Sequence, residues 1–131
     1  MWRVKHRKDV VNPNLPDPSL SFEELRRTNA ARCEAHFHKI DEWDEVAWGC
    51  ALGGECGELL NILKKRHRII SKSKYQGGGA LEKLKKDAGK ELGDLIAYAD
   101  LVATRLGLRL EDCIVNKFNT VSRRVKSNHR L

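Results

Sequence analysis

The segment Gly54-Glu55-Cys56-Gly57-Glu58-Leu59 places two carboxylates three residues apart on the apolar side of a predicted helix. At 100° per residue, Glu58 lies about 60° from Glu55. The apolar residues within about 40° of Glu55 are Trp48, Ala51, Leu59 and Ile62. Acidic side chains are rare on a core-facing stripe unless they are paired or bind a metal. The segment therefore predicts a core-facing helix that carries unusual charge.

A second predicted helix repeats this pattern with Glu91 and Asp94, which also lie about 60° apart. The apolar residues on the same side of that helix are Leu84, Leu95, Tyr98 and Val102. Burying an isolated carboxylate costs on the order of several kcal/mol. Either a divalent cation binds the four acids, or basic side chains such as Arg105 neutralise them. Because no Glu-x-x-His motif is present, an all-oxygen site for Mg²⁺ or Mn²⁺ is favoured over a di-iron site.

The wider pattern predicts an all-α, four-helix-bundle-like fold, since no segment shows sustained strand alternation. Ser21-Phe22-Glu23-Glu24 has the spacing of a capping box, and it predicts a first helix that runs to about Ile40. The other helices are predicted over about 44–68, 80–106 and 110–125, with a loop over 69–79 and Gly107 as a stop signal. On the last helix, one apolar stripe contains Leu110, Ile114, Phe118, Val121 and Val125.

The length of 131 residues suits one domain, predicted over 21–131 and preceded by an irregular basic arm over 1–20. The chain has neither a run of about 18 apolar residues nor the apolar stretch of a signal peptide, so we expect no contact with membranes and a cytoplasmic location. The cysteines are Cys33, Cys50, Cys56 and Cys113. They form no C-x-x-C motif, and we expect buried, reduced thiols.

Positive charge is concentrated in one part of the chain. The formal net charge is +7, and the segment between Lys64 and Lys90 holds ten basic and two acidic residues. Such a local positive field points to an anionic partner, either nucleotide phosphates or a nucleic-acid backbone. The alternative is a solvated lysine-rich face with no partner.

Together these motifs resemble the MazG-like all-α nucleoside triphosphate pyrophosphohydrolases. The shared features are E-x-x-E at Glu55 and Glu58, the following Lys64-Lys65, and E-x-x-D at Glu91 and Asp94 with Tyr98. The segment Lys117-Phe118-Asn119-Thr120-Val121-Ser122-Arg123-Arg124 is similar to the C-terminal motif of that family. The resemblance covers roughly residues 35 to 125.

The resemblance implies a reaction: cleavage of an NTP or dNTP between the α- and β-phosphates to the monophosphate and pyrophosphate. It implies that Glu55, Glu58, Glu91 and Asp94 are ligands of Mg²⁺, which Mn²⁺ could replace. Glu58 is the candidate general base. The resemblance also implies a homodimer or homotetramer.

Substrate-binding candidates follow from the same resemblance and from their residue types. Those for the phosphates are Lys64, Lys65, Lys117 and Arg124, and those for the nucleobase are Tyr98, His38, Trp43 and Trp48. The chain departs from the family pattern where Phe118 separates Lys117 from Asn119. Two other functions stay open: a basic helical module that binds nucleic acid, and a regulatory relative without catalysis.

Overall fold

The computed structural model describes residues 20–72 and 78–131. These residues contain α1 (Phe22–His36), α2 (Glu45–Ser71), α3 (Gly78–Arg105) and α4 (Leu110–Arg124), and no strand. The all-α prediction is therefore confirmed for the described part of the chain. Except for Leu20, the predicted N-terminal arm lies outside the described residues. None of the four helices combines the length and the apolar character needed to cross a bilayer.

Two side-chain caps set where α1 and α2 begin. The Ser21 hydroxyl accepts a hydrogen bond from the Glu24 amide at 3.1 Å, and the Asp44 carboxylate accepts one from the Ala47 amide at 2.7 Å. The first amides of a helix have no partner within the helix, so such caps stabilise its start. The predicted starts of both helices are confirmed.

The end of α1 differs from the prediction. Helix α1 ends at His36 rather than near Ile40, because the backbone leaves the helical region at Phe37. The amides of Phe37 and His38 both donate to the Cys33 carbonyl, which closes the helix. The chain then turns, and this turn carries His38 towards the start of α2.

The connection between α2 and α3 is shorter than predicted. The predicted loop covered 69–79, but α2 continues to Ser71 and α3 begins at Gly78. Residues 73–77 of that loop lie outside the described residues. Two of the three consecutive glycines, Gly78 and Gly79, are helical.

Gly107 ends α3, as predicted. Its φ of +69° lies in the left-handed region, which favours glycine. The Gly107 amide donates to Thr104 at 3.1 Å and the Leu108 amide donates to Ala103 at 2.8 Å. These two bonds form a Schellman motif, which satisfies carbonyls at the helix end.

Helices α2 and α3 form an antiparallel pair. Near their connection, Arg66 of α2 donates to the Leu81 carbonyl of α3 at 3.1 Å. At the other end of the pair, the buried core contains Cys33 of α1, Trp48 of α2 and Leu101 of α3. Helices α1 and α4 both pack against α3, which is the central helix.

Much apolar surface stays exposed in the single chain. On α4, Leu110 and Val121 are half-buried, but Ile114, Phe118 and Val125 are exposed, so the predicted stripe is only partly covered. Further exposed apolar residues are Leu60 and Leu63 on α2 and Leu92 and Ile96 on α3. Surface helices normally bury such stripes.

The prediction of buried thiols holds for one cysteine only. All four cysteines are free, but Cys33 is buried, Cys56 is half-buried, and Cys50 and Cys113 are exposed. The prediction was wrong for the other three because it relied on their apolar neighbours in the sequence, and several of those neighbours are exposed as well.

The cap of α2 gives a test of the fold. We expect Asp44→Ala to lower the free energy of unfolding by about 1 kcal/mol, because the Ala47 amide loses its acceptor. Urea denaturation followed by circular dichroism measures this change. The matched control is Asp41→Ala, which removes an exposed carboxylate three residues earlier. Equal stability of the two variants would contradict a stabilising role for the cap.

Candidate functional site

Three carboxylates meet where α2 faces α3. Glu55 of α2 and Glu91 and Asp94 of α3 each contribute one oxygen, and these oxygens lie within 4.8 Å of one another. The antiparallel pairing produces this cluster, because it sets the middle of α2 against the middle of α3. Glu58, one turn after Glu55, is close enough to Glu55 and Glu91 to act electrostatically on both carboxyls. All four predicted acids therefore lie at one place.

The apolar residues around the four acids predicted that the acids are buried, but in the structure they are less buried than that. Glu55 and Glu91 are half-buried, and Glu58 and Asp94 are exposed. Helix α1 contacts α3 further along, at Ala97 and Asp100, so it leaves the carboxylates open to solvent. The cluster is thus an accessible site rather than part of the interior.

Partial desolvation and neighbouring negative charges raise the pKa of the Glu55 and Glu91 carboxyls. For Glu55, partial desolvation is the largest cause, followed by the negative charges of Glu58 and Asp94. For Glu91, desolvation is again the largest cause, followed by the negative charges of Glu58, Asp94 and Glu55. Both effects disfavour the ionised form.

The described residues offer these carboxylates no basic partner. No Lys or Arg within 20–72 and 78–131 forms an ion pair with any of the four. Arg105, the candidate for neutralising them, donates instead to the Trp43 carbonyl at 3.0 Å. The negative charge of the cluster is therefore uncompensated by the described side chains.

A group of aromatic rings lies beside the carboxylates. The His38 and Trp43 rings stack with centroids 4.1 Å apart and planes inclined by 26°. Trp48 contacts both rings, at 5.2 Å and 4.9 Å, and Tyr98 lies 6.4 Å from Trp48. The structure thus brings together the four residues predicted to meet a nucleobase.

Backbone acceptors fix this aromatic wall in place. Trp48, only 1% exposed, donates its indole N–H to the Ile40 carbonyl at 3.0 Å. The bond from Arg105 to Trp43 holds the other side of the same turn. Trp48 is consequently a core residue that also forms the floor of the aromatic group.

The aromatic rings and one carboxylate line a common cleft of about 380 Å³. His38, Trp43, Trp48 and Tyr98 form its aromatic part, and Asp94 links it to the acidic cluster. Clefts of this size hold small ligands, and stacked rings favour flat aromatic groups.

The predicted phosphate-binding residues do not line this cleft. Lys64 and Lys65 are exposed on α2, and Lys117 and Arg124 are exposed on α4. Asn119 of α4 exchanges two hydrogen bonds with the backbone of Leu131, each at 3.0 Å. Within one chain, the cleft therefore receives none of these side chains.

Part of the basic segment is neutralised within α3. The Asp87 carboxylate lies 2.7 Å from the Lys83 ammonium and 3.2 Å from that of Lys90. These ion pairs lower the pKa of Asp87. Asp87 is one of the two acidic residues already counted in this segment, so the predicted excess of positive charge is unchanged.

Three polar residues at the cleft were missed by the sequence reasoning. Asn29 and Arg32 of α1 line the cleft, and Asp100 of α3 lies behind Asn29. A signal was present, because Asn29 is one turn before Cys33 and therefore on the same side of α1. A polar residue on this side of α1 is therefore as unusual as the acids on the apolar sides of α2 and α3.

Comparisons with protein-family models, with curated proteins and with solved structures each found no match for this chain. The arrangement of its own residues therefore carries the functional argument.

The raised pKa values predict how stability depends on pH without metal. Because the folded chain holds protons on Glu55 and Glu91 more tightly than the unfolded chain, their contribution to stability is lost as pH rises from the ordinary carboxyl range through the raised pKa values. We expect Glu91→Gln to flatten this decline. Urea denaturation in EDTA between about pH 4 and pH 7 measures it.

The control for this experiment is Glu34→Gln, which changes an exposed carboxylate on α1. The control should keep the pH dependence of the wild type. If Glu91→Gln keeps it as well, repulsion within the cluster does not affect stability.

Proposed function

We propose that this chain is a Mg²⁺-dependent nucleotide pyrophosphohydrolase of the MazG-like type. It would cleave an NTP or dNTP between the α- and β-phosphates and release the monophosphate and pyrophosphate. The observation that carries the proposal is the position of Asp94, which belongs both to the carboxylate cluster and to the wall of the aromatic cleft. One nucleotide could therefore contact the carboxylates through its phosphates and the aromatic rings through its base.

The carboxylates fit a hard divalent cation. Their oxygens converge within 4.8 Å, and oxygen ligands suit Mg²⁺ or Mn²⁺. The raised pKa values of Glu55 and Glu91 reflect partial desolvation first, and then negative charge that no described Lys or Arg pairs with. When bound, Mg²⁺ would neutralise phosphate charge and lower the pKa of a coordinated water.

Glu58 is the side chain best placed to accept a proton. It is exposed at the edge of the cluster, next to Glu91 of α3. A general base needs contact with the attacking water, and the exposed position of Glu58 allows it. In this proposal, Glu58 takes the proton of the water that attacks phosphorus.

The aromatic cleft would hold the nucleobase. Trp48 and Tyr98 supply apolar contact, and the stacked rings of His38 and Trp43 present a flat face. Stacking orients a base without selecting one, because every base has a π-face. The cleft therefore supports a nucleotide substrate and leaves base selection to polar groups.

The basic residues on α4 fit the proposal through self-association. Lys117 and Arg124 do not line the cleft of their own chain, and α4 exposes Ile114 and Phe118. In the proposal, a second copy covers these apolar residues and supplies further basic side chains to the phosphates. We therefore include a homodimer or homotetramer in the proposal.

The first test is pyrophosphate release from a panel of ribo- and deoxyribonucleoside triphosphates, with Mg²⁺ and with EDTA. We expect metal-dependent release by the wild type and a loss of about a hundredfold or more in Glu58→Gln. The matched control is Glu45→Gln, the same change on the same helix outside the cluster, which should keep full activity. Absence of release from every nucleotide by a folded wild type would refute the proposal.

Self-association is tested by mass measurement in solution. We expect the mass of a dimer or tetramer, and a shift towards the 14.9 kDa monomer when Phe118→Glu places a charge in the apolar stripe. The control is Asn116→Glu, a charge change at an exposed position about 160° around α4 from Phe118. A wild-type monomer at micromolar concentration would contradict this part of the proposal.

The alternative function as a nucleic-acid-binding module rests on the exposed basic residues of α2, including Lys64 and Lys65. It leaves the converging carboxylates without a role. Strong salt-dependent binding to DNA or RNA, with no hydrolysis of any nucleotide, would favour it.

A further inference from the structure

A hydrogen-bonded chain of polar side chains links α3 to the wall of the cleft. Asp100 of α3 is 2% exposed and Asn29 of α1 is 4% exposed. The Asn29 amide nitrogen donates to Asp100 at 3.0 Å and to the Ala97 carbonyl at 2.8 Å. Arg32 then donates to the Asn29 amide oxygen at 3.2 Å.

These contacts determine which way the Asn29 amide points. Its two partners on α3 are both acceptors, so only the NH₂ group can face them. The amide oxygen therefore faces Arg32 and accepts from its guanidinium. A flipped amide would leave acceptors facing one another, which is costly for buried groups.

Arg32 keeps donors free for a ligand. A guanidinium has five N–H donors, and the described contacts of Arg32 use one of its nitrogens. The side chain lines the same cleft as Tyr98 and Trp43. It is thus a tethered donor group beside a stacking surface.

The tether fixes Arg32 to the part of the cleft where α1 meets α3. Asn29, to which Arg32 donates, contacts α3 at Ala97 and Asp100. Arg32 lines the cleft together with Trp43 and Tyr98. A nucleotide with its phosphates at the carboxylate cluster would place its base among these aromatic rings, beside Arg32.

We propose that Arg32 is a specificity residue that reads the nucleobase in this cleft. Its planar fork fits a base edge with two adjacent acceptors, which guanine offers at O6 and N7 and cytosine at O2 and N3. Adenine and thymine offer no such pair on one edge. Asn29 and Asp100 are positioning residues that act through Arg32. This inference rests on the proposed function, because it takes the cleft to hold a nucleotide.

The test compares dissociation constants of dGMP, dCMP, dAMP and dTMP, measured by titration calorimetry. We expect the wild type to prefer dGMP or dCMP, and Arg32→Lys to weaken binding of the preferred base about tenfold. Binding of the other monophosphates should change less than about twofold. Lysine keeps the charge but loses the fork, so the loss reports geometry rather than charge. The control is Arg27→Lys, an exposed arginine on the same helix.

The positioning role is tested by a double-mutant cycle. Asn29→Ser should reduce the base preference of the wild type but cause no further loss in the Arg32→Lys background. A merely structural role would lower affinity for all four monophosphates in both backgrounds. If Asn29→Ser does not fold, Asp100→Asn keeps the shape of the buried partner and removes the charge that orients the amide. The same non-additivity is expected for it.

Three results would overturn the inference. Arg32→Lys could leave the base preference unchanged. It could instead weaken all four monophosphates equally without affecting the matching nucleosides, which would make Arg32 a phosphate contact. The wild type could bind all four monophosphates equally. Failure of the proposed function is distinguishable, because it is an absence of pyrophosphate release by the wild type, measured separately.

Discussion

The antiparallel contact between α2 and α3 is the constraint on which the rest of the molecule depends. It sets Glu55 against Glu91 and Asp94, where partial desolvation and neighbouring negative charge raise the pKa of Glu55 and of Glu91. The same contact places Trp48 beside Leu101 in the buried core, next to the aromatic cleft. Burial of apolar side chains at the core end of the helix pair thus keeps the carboxylates close together despite their repulsion. A cation that binds between these carboxylates would relieve their repulsion and would therefore stabilise the folded chain.

Sequence periodicity predicted a large part of this arrangement. The helix starts at Ser21 and Asp44 and the stop at Gly107 follow from local hydrogen bonding, which a short segment encodes by itself. The i, i+3 spacing of the acids also predicted that they share a helix side, and the structure places all four at one location. Their exposure was not predictable, because it depends on where α1 crosses α3, and no local pattern specifies that crossing.

Of the residues that sequence reasoning missed, Asn29 and Arg32 lie on α1, and Asp100 lies on a second face of α3. Asp100 is about 180° around the helix from Glu91, so an analysis of one stripe could not include it. Helix α3 is central and contacts α1, α2 and α4, and it therefore has more than one buried side. Asp100 faces α1 and is paired with Asn29 there, whereas the acids facing α2 lack such a partner. The acids on these two faces of α3 differ: the buried Asp100 joins α3 to α1, whereas Glu91 and Asp94 converge with Glu55 in the accessible cluster.

The turn between α1 and α2 has a consequence for the thermodynamics of ligand binding. It carries His38 and Trp43 outside any helix, yet the indole N–H of Trp48 and the guanidinium of Arg105 hold its carbonyls from two different helices. A ligand that stacks on these rings meets a surface that is already ordered. Little conformational entropy is then lost on association, and more of the stacking energy is retained as affinity.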